Sequence, residues 1–323
     1  MTSEASGLAM NHLVSIDQVD VSTGSRIFDL TDEMAAGIHA PETRTRLAGS
    51  VIALLFFEAS SRTVLSFSAA AARLGAAVVT HQTAGASSLA KGESIEDTIR
   101  VVSSYVDAIV LRHPESGIAA RAARASTVPL INGGDGGNEH PTQALIDLYT
   151  IQKHLKRLHG LRVAMGFDPL HSRSIRSLCR GLGHYPDNSV TLVGPSELWM
   201  GEEDLEDLRS RGLAVAQTDD PDALLDQDIA YLNRFQSERI AAMDDPEELR
   251  SRYRLSAADV NRSSLKLIMD PLPRVHELDE DVDALPQAAY FDQVRSGVPV
   301  RMALLSMFTS HVPALALEPL LPG

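Results

Sequence analysis

A single cysteine, Cys179, in 323 residues rules out an internal disulfide framework and any metal site built on several thiolates, and it fits a reducing compartment. It lies within Ser174-Ile-Arg-Ser-Leu-Cys-Arg180, a helix-interior pattern, so it reads as a small buried side chain rather than a nucleophile. Long hydrophobic runs are missing too: no stretch approaches the ~18 apolar residues of a membrane span. The first residues, Met1-Thr-Ser-Glu-Ala-Ser-Gly, carry an acid where a signal peptide carries Lys or Arg. The expected location is therefore cytoplasmic, with no membrane partner. Positive charge is scarce, with 29 Lys and Arg against 43 Asp and Glu and a net charge of −14, which argues against a nucleic-acid partner. No G-x-G-x-x-G follows a strand-like run, which counts against a nicotinamide dehydrogenase. The acidic run Asp279-Glu280-Asp281-Val282-Asp283 lacks the spacing of a calcium loop and reads as solvated surface.

What is present is material for two ordinary cores, since 44% of the residues are hydrophobic. Apolar, β-branched runs at 51–57, 76–80, 107–111 and 128–132 alternate with helix-like segments, and a second set follows at 161–167, 189–193, 213–217, 228–232 and 266–269. The economical reading is an α/β chain of two doubly wound parallel-sheet domains. Between the two sets, Ala144, Leu148, Ile151 and Leu155 form one apolar stripe of a helix over 141–158, with Pro141 in its first turn. That helix is the expected connector, with a cleft between the domains. The expected division is 1–150, 151–299 and a C-terminal helix in 300–323 that returns to the first domain; residues 1–10 read as a disordered lead.

The most informative segment joins the run ending at Phe57 to Glu58-Ala-Ser-Ser-Arg-Thr63 and a helix-like stretch. Three hydroxyls, a guanidinium and orphan N–H groups gather at a helix N-terminus, which is how a phosphate is held. Taken alone, Ser60 and Ser61 as helix caps beside a surface Arg62 is the commoner arrangement. The loop Ser87-Ser-Leu-Ala-Lys91-Gly-Glu93 offers a hydroxyl and an ammonium to a closing lid. Arg112 sits at the carboxyl end of a strand, where open α/β sheets bind ligands. The glycine-rich segment 132–140 repeats that placement after the next strand and ends in His140.

Taken together, FFEASSRT, SSLAKGE, RHP at 112–114, GDGGNEHPTQALIDLYTI, Leu232-Asn-Arg234-Phe-Gln236, PLPR at 271–274 and YFDQVRSG…RMALLSM resemble the aspartate carbamoyltransferase family, catalytic chain. The resemblance runs in order from about Phe28 to Val312. It implies an enzyme that moves the carbamoyl group of carbamoyl phosphate to the amine of L-aspartate in pyrimidine biosynthesis, with no cofactor and no metal. It implies that Ser60, Ser61, Arg62 and Thr63 hold the phosphate, that Arg112 reaches phosphate and carbonyl oxygens, and that His140 and Thr63 stabilise the carbonyl oxygen. Gln143 and the carbonyls of Pro271 and Leu272 would receive the amine or the carbamoyl NH₂. Arg173, Arg234 and Gln236 would bind the two carboxylates of aspartate. Ser87 and Lys91 would come from a neighbouring subunit, which implies a homotrimer with shared active sites, and a regulatory or dihydroorotase partner is open.

The chain departs from the family pattern at several positions. Asp270 replaces the usual His before Pro-Leu-Pro, Asn233 the usual Thr beside the acceptor-binding Arg, and Glu139 the usual Gln before the catalytic His. Val64 and Ser68 replace an Arg and a Glu together, which strands no charge. The carbamoyl phosphate half thus reads as intact and the acceptor half as altered. Two other readings stay open: a paralogous carbamoyltransferase with a different amine acceptor, and a non-catalytic scaffold subunit. An ornithine enzyme is disfavoured, because the Cys expected before Leu-Pro is absent.

Overall fold

Each of the nine apolar runs becomes a parallel strand, and the order of the strands decides which loops are neighbours. The computed structural model describes residues 12–81, 92–235 and 246–309. One sheet holds β1 (His12–Leu13), β2 (Val51–Phe56), β3 (Ala77–His81), β4 (Ala108–His113) and β5 (Leu130–Asp135) in the order β1-β5-β4-β2-β3, all parallel. Central β2 and β4 are covered on both faces, which is why they read as unbroken apolar runs; β3, at the edge, leaves Val79 47% exposed. The register pairs Phe56 with Arg112, and the Phe57 N–H continues the ladder to the Arg112 carbonyl at 2.9 Å.

Helices α1 (Val21–Ala36), α2 (Pro41–Thr45), α3 (Ser61–Arg73), α4 (Ile95–Ser103) and α5 (Ile118–Ala125) follow in the first part of the chain. In α4 the Ser94 hydroxyl caps by accepting from the Asp97 N–H, acids occupy the first turn, and Ile95 and Ile99 bury one face. The α3–β3 turn needs Gly75: its φ is +84°, and a Cβ there would meet the Arg44 carbonyl oxygen at 1.9 Å.

The second sheet holds β6 (Arg162–Gly166), β7 (Ser189–Val193), β8 (Ala214–Thr218), β9 (Ile229–Leu232) and β10 (Leu267–Met269) in the order β10-β9-β6-β7-β8, again parallel. Its helices are α6 (Pro141–Leu155), α7 (Arg173–Gly183), α8 (Glu202–Ser210), α9 (Pro246–Arg252), α10 (Ala257–Asn261) and the long α11 (Tyr290–Thr309). Phe167, Phe235 and Tyr253 pack as an aromatic trio with centroids 5.5–6.2 Å apart in the core of this part. Asp228 accepts from the Arg162 N–H at 3.1 Å and from Lys266 Nζ at 2.7 Å, tying together the starts of β6, β9 and β10. Cys179 is fully buried on α7 with its Sγ 3.6 Å from Met165 Sδ, and burial pushes its thiol up to about 12.

By packing, the chain divides into two units: Leu30–Asp135 with the segments before Ser15 and after Val300, and Ser15–Asp29 with Gly136–Val300. Residue 150, the expected boundary, falls inside α6, which packs whole with the second unit. Helices α1 and α11 each run from one unit into the other. From Arg301 onward α11 packs back on the first unit, where the Arg301 guanidinium lies 5.0 Å above the Phe67 ring and Arg46 Nε donates to Ser306 Oγ at 2.5 Å.

Three sequence readings are corrected by the structure. Helix α6 is buried on nearly every side from Pro141 to Ile151, not along one stripe. Helix α11 begins ten residues before the expected 300, with Pro299 carried inside it. The acidic run is not simply solvated: it forms a short 3₁₀ turn, Glu280–Ala284, in which Asp279 pairs with Arg254 and Asp283 pairs with Arg274 and accepts from the Tyr290 hydroxyl.

Candidate functional site

In the first unit the candidate residues cluster at the carboxyl ends of adjacent strands β2 and β4, the edge where open α/β sheets receive ligands. Ser60 is the N-cap of α3, yet its hydroxyl does not bond the helix amides; it donates to Thr63 Oγ1 at 2.9 Å. The first-turn N–H groups of α3 are therefore not served by their cap side chain, and Ser61 and Arg62 are exposed on that turn. Thr63 is buried. Arg112, only 7% exposed, is held by contacts that include Nη1 donating to the Gly133 carbonyl at 3.1 Å and Nη2 lying 3.0 Å from Glu58 Oε2. Glu58 was not singled out from sequence; it stands in the cradle motif itself, five residues before Thr63.

At the end of β5 the chain turns on Gly134 (φ 119°), inside the strand, and Gly136 (φ 52°), just beyond it. Asn132 braces this turn within the first unit, donating to the Val14 carbonyl at 2.9 Å and accepting from the Gly134 N–H at 2.8 Å. In the second unit the loop carbonyls are claimed by α7: Arg173 Nη1 donates to Gly136 O at 2.6 Å and Arg176 Nη1 to Gly137 O at 2.8 Å. His140, 6% exposed, is fixed by its N–H donating to Ser177 Oγ at 2.9 Å, and its Nδ1 lies 3.3 Å from Thr142 Oγ1.

Glu139, one residue before, is the buried anchor of this corner. It accepts from Ser15 Oγ at 2.6 Å, from the Ile16 N–H at 2.9 Å and from Arg180 Nη1 at 3.0 Å. Burial dominates and holds its carboxyl above the ordinary glutamate value, against the Ser15, Ile16 and Arg180 contacts that pull it down. Glu139→Ala strips the partner from the buried Ile16 N–H, from the part-buried Ser15 hydroxyl and from part of the Arg180 pairing, at an expected cost of about 3 kcal/mol in urea unfolding. The folded state binds this proton more tightly than the unfolded chain does, so its stabilising contribution is complete at low pH. It is lost as pH rises through the folded value. Wild type should therefore lose stability, relative to Glu139→Gln, as pH is raised above the ordinary glutamate value; parallel urea midpoints would disprove this.

The remaining candidates follow the carboxyl ends of β6, β9 and β10, three adjacent strands. Arg173 is the first residue of α7, behind the Ser172 cap. Arg234 follows β9 and donates from Nη1 to the Phe235 carbonyl at 3.1 Å. Asn233 extends the β6–β9 ladder, its N–H bonding Gly166 O at 2.5 Å and its carbonyl accepting from the Phe167 N–H at 3.1 Å. Asp270-Pro-Leu272 follows β10. Leu272 has φ 61°, and its N–H donates to Asp270 Oδ1 at 2.5 Å. The Asp270 N–H donates in turn to Gln293 Oε1 at 3.0 Å.

Beneath these residues lies a hub that the sequence reading missed. Asp147, fully buried on α6, accepts from Gln143 Nε2 at 2.8 Å and Gln293 Nε2 at 2.7 Å on Oδ1, and from the Tyr231 hydroxyl at 2.9 Å on Oδ2. Burial, then the neighbouring Asp147, holds the Tyr231 hydroxyl well above its ordinary value, so it remains a donor. The available signal was an acid three residues after Ala144 and four before Ile151, inside an apolar helix. Ser87, Lys91 and Gln236 lie outside the described residues, as do positions 1–10.

The comparisons agree over nearly the whole chain. Residues 11–153 match the family described as aspartate/ornithine carbamoyltransferase, carbamoyl-P binding domain, and residues 159–308 match its Asp/Orn binding domain. The chain is 44% identical over 310 residues to the aspartate carbamoyltransferase catalytic subunit of Cellvibrio japonicus, covering 92% of this chain and 91% of that one. It superposes on the catalytic subunit of M. jannaschii aspartate transcarbamoylase with a TM-score of 0.86 at 40% identity, covering 93% and 98% of the two chains. It superposes on Trypanosoma cruzi aspartate transcarbamoylase in complex with N-(phosphonacetyl)-L-aspartic acid with a TM-score of 0.84 at 36% identity, covering 92% and 95%. Two matched domains in the right order, with relatives this similar along their full length, mean that the chain belongs to the aspartate/ornithine carbamoyltransferase family.

Proposed function

We propose that the protein transfers the carbamoyl group of carbamoyl phosphate to the amine of L-aspartate, giving N-carbamoyl-L-aspartate and phosphate. One observation carries the reading. A family member 36–44% identical to aspartate enzymes keeps an anion-binding set on β2 and β4 together with two arginines after β6 and β9 suited to a dicarboxylate. The α3 N-terminus with Ser60, Ser61, Arg62 and Thr63 holds the phosphate, whose charge suits the orphan amides and the Arg fork. Arg112, kept rigid by Gly133 and Glu58, faces phosphate and carbonyl oxygens. Arg173 and Arg234, with Gln236, take the acceptor's carboxylates.

The neutral amine attacks the carbonyl carbon while held by Gln143 and the Pro271 and Leu272 carbonyls. Negative charge then grows on the carbonyl oxygen, where Thr63, Arg112 and His140 meet it, and passes to the departing phosphate. The phosphate itself takes the amine's proton, so fixed donors and cations suffice and no protein base is assigned. In this reading Ser87 and Lys91 reach the site of a neighbouring subunit in a homotrimer. Large apolar side chains exposed on the first unit, Leu65 at 67% and Tyr105 at 70%, support such covering. The reaction would serve pyrimidine biosynthesis in the cytoplasm.

The test is phosphate release from carbamoyl phosphate across a panel of amine acceptors. Strong release selective for L-aspartate is expected. His140→Ala should lower kcat by ~10²-fold or more, the loss typical of one oxyanion partner. Release with another amine only would move the function to a different acceptor, and unchanged turnover in His140→Ala would remove that residue from the oxyanion role.

A further inference from the structure

We infer that Asp270, the acid standing where this family usually has histidine, is a positioning residue that shapes the Pro271–Leu272 carbonyl pair and does not itself meet the acceptor. The inference rests on the carbamoyl-transfer reading above and deepens it. Asp270 is 1% exposed, and its Oδ1 accepts the Leu272 N–H at 2.5 Å, closing a two-residue turn of the kind aspartate forms with its own backbone. Leu272 sits at φ 61°, a left-handed conformation that an ordinary L side chain adopts only when its surroundings hold it there. The bond from Asp270 supplies that hold, and with it the direction in which the Pro271 and Leu272 carbonyls point.

The turn is also tied by hydrogen bonds to Gln143, the other residue assigned to the amine. The Asp270 N–H donates to Gln293 Oε1 at 3.0 Å, and Gln293 Nε2 donates to Asp147 Oδ1 at 2.7 Å. The same Asp147 oxygen accepts from Gln143 Nε2 at 2.8 Å. Gln143 and the 271–272 carbonyls, the groups assigned to the amine or the carbamoyl NH₂, thus hang from one buried chain of hydrogen bonds. Gln293 at 1% exposure and Asp147 at 0% leave this chain shielded from water, so a displaced turn cannot be reset by solvent. With Oδ1 engaged by its own backbone and the residue 1% exposed, the carboxylate is oriented by the turn rather than by an acceptor.

Asp270→Asn keeps an oxygen for the Leu272 N–H; Asp270→Ala does not. With saturating L-aspartate, Asp270→Ala should lose about 10²-fold in kcat, as expected for misplacement of about an ångström. Its KM for carbamoyl phosphate should stay within about twofold of wild type, since the phosphate half is untouched. Asp270→Asn should stay within about threefold of wild type in kcat and keep its acceptor preference. Amide hydrogen exchange at Leu272 should be slow in wild type and Asp270→Asn and fast in Asp270→Ala. An active wild type with Asp270→Ala unchanged in kcat overturns the inference alone. Equal impairment of Asp270→Asn and Asp270→Ala, or a changed acceptor preference in Asp270→Asn, overturns it in favour of a charge that meets the acceptor. A wild type with no turnover on any acceptor removes the carbamoyl-transfer reading and the inference with it.

Discussion

Arg112→Ala is expected to lower kcat/KM for carbamoyl phosphate by about 10³-fold, the upper range for loss of one fixed partner to a developing oxyanion. The guanidinium is almost wholly buried at the end of β4, and two of its nitrogens are held by Gly133 and Glu58, so its remaining surface is aimed without freedom to swing. Such pre-organisation makes a charge worth more to the transition state than a mobile surface arginine would be. Arg112→Lys keeps the charge but not the fork and should recover only part of the loss, about tenfold, because an ammonium cannot hold Gly133 and Glu58 and still present a planar pair of donors. Stability should change far less than activity in both variants, since Glu58 is a third exposed and can be rehydrated. Arg112→Ala retaining kcat/KM within a few-fold of wild type would end the assignment.

Asp147→Ala should be the most destabilising single truncation in the second unit, at about 4 kcal/mol in urea unfolding. Two buried donors, Gln293 Nε2 and the Tyr231 hydroxyl, and the part-buried Gln143 Nε2 lose their acceptor at once. Each orphaned group costs about 1–3 kcal/mol, and the three are too close to add independently. Asp147→Asn should cost about half as much, because the amide offers one oxygen and must turn its NH₂ toward a donor. Activity should fall in both variants with L-aspartate as acceptor, since Gln143 loses its support. A urea midpoint for Asp147→Ala equal to that of wild type would show that these bonds carry no net stability.

The central strands were legible because parallel strands buried on both faces are continuous apolar runs, and the edge strands β3 and β8 because they keep short apolar, β-branched cores despite their exposure. Strand β1 was not, since two residues, His12 and Leu13, carry no period. The start of α11 was hidden by Gly297 and Pro299, residues that break isolated helices but are tolerated where the chain is packed on both flanks. The residues of the proposed phosphate site could be singled out because hydroxyls and an arginine concentrate in one short segment. The Asp147 hub was illegible for the opposite reason: its partners lie 84 and 146 residues away, and apolar periodicity counts no carboxyl. Asp270 shows the remaining gap. Its identity as a departure could be read from the letters, but whether it turns toward a ligand or toward its own backbone depends on the torsion of a single side chain, which only the fold determines.

The sealed sulfur on α7 has a use in the laboratory. With Cys179 enclosed and its thiol held near pKa about 12, the native chain presents no thiolate at neutral pH and is in effect a cysteine-free scaffold without mutagenesis. A residue such as the exposed Glu203, changed by Glu203→Cys, becomes the sole attachment point for a dye or spin label. A label there reports on the surface of the second unit with no competing reaction at a native thiol.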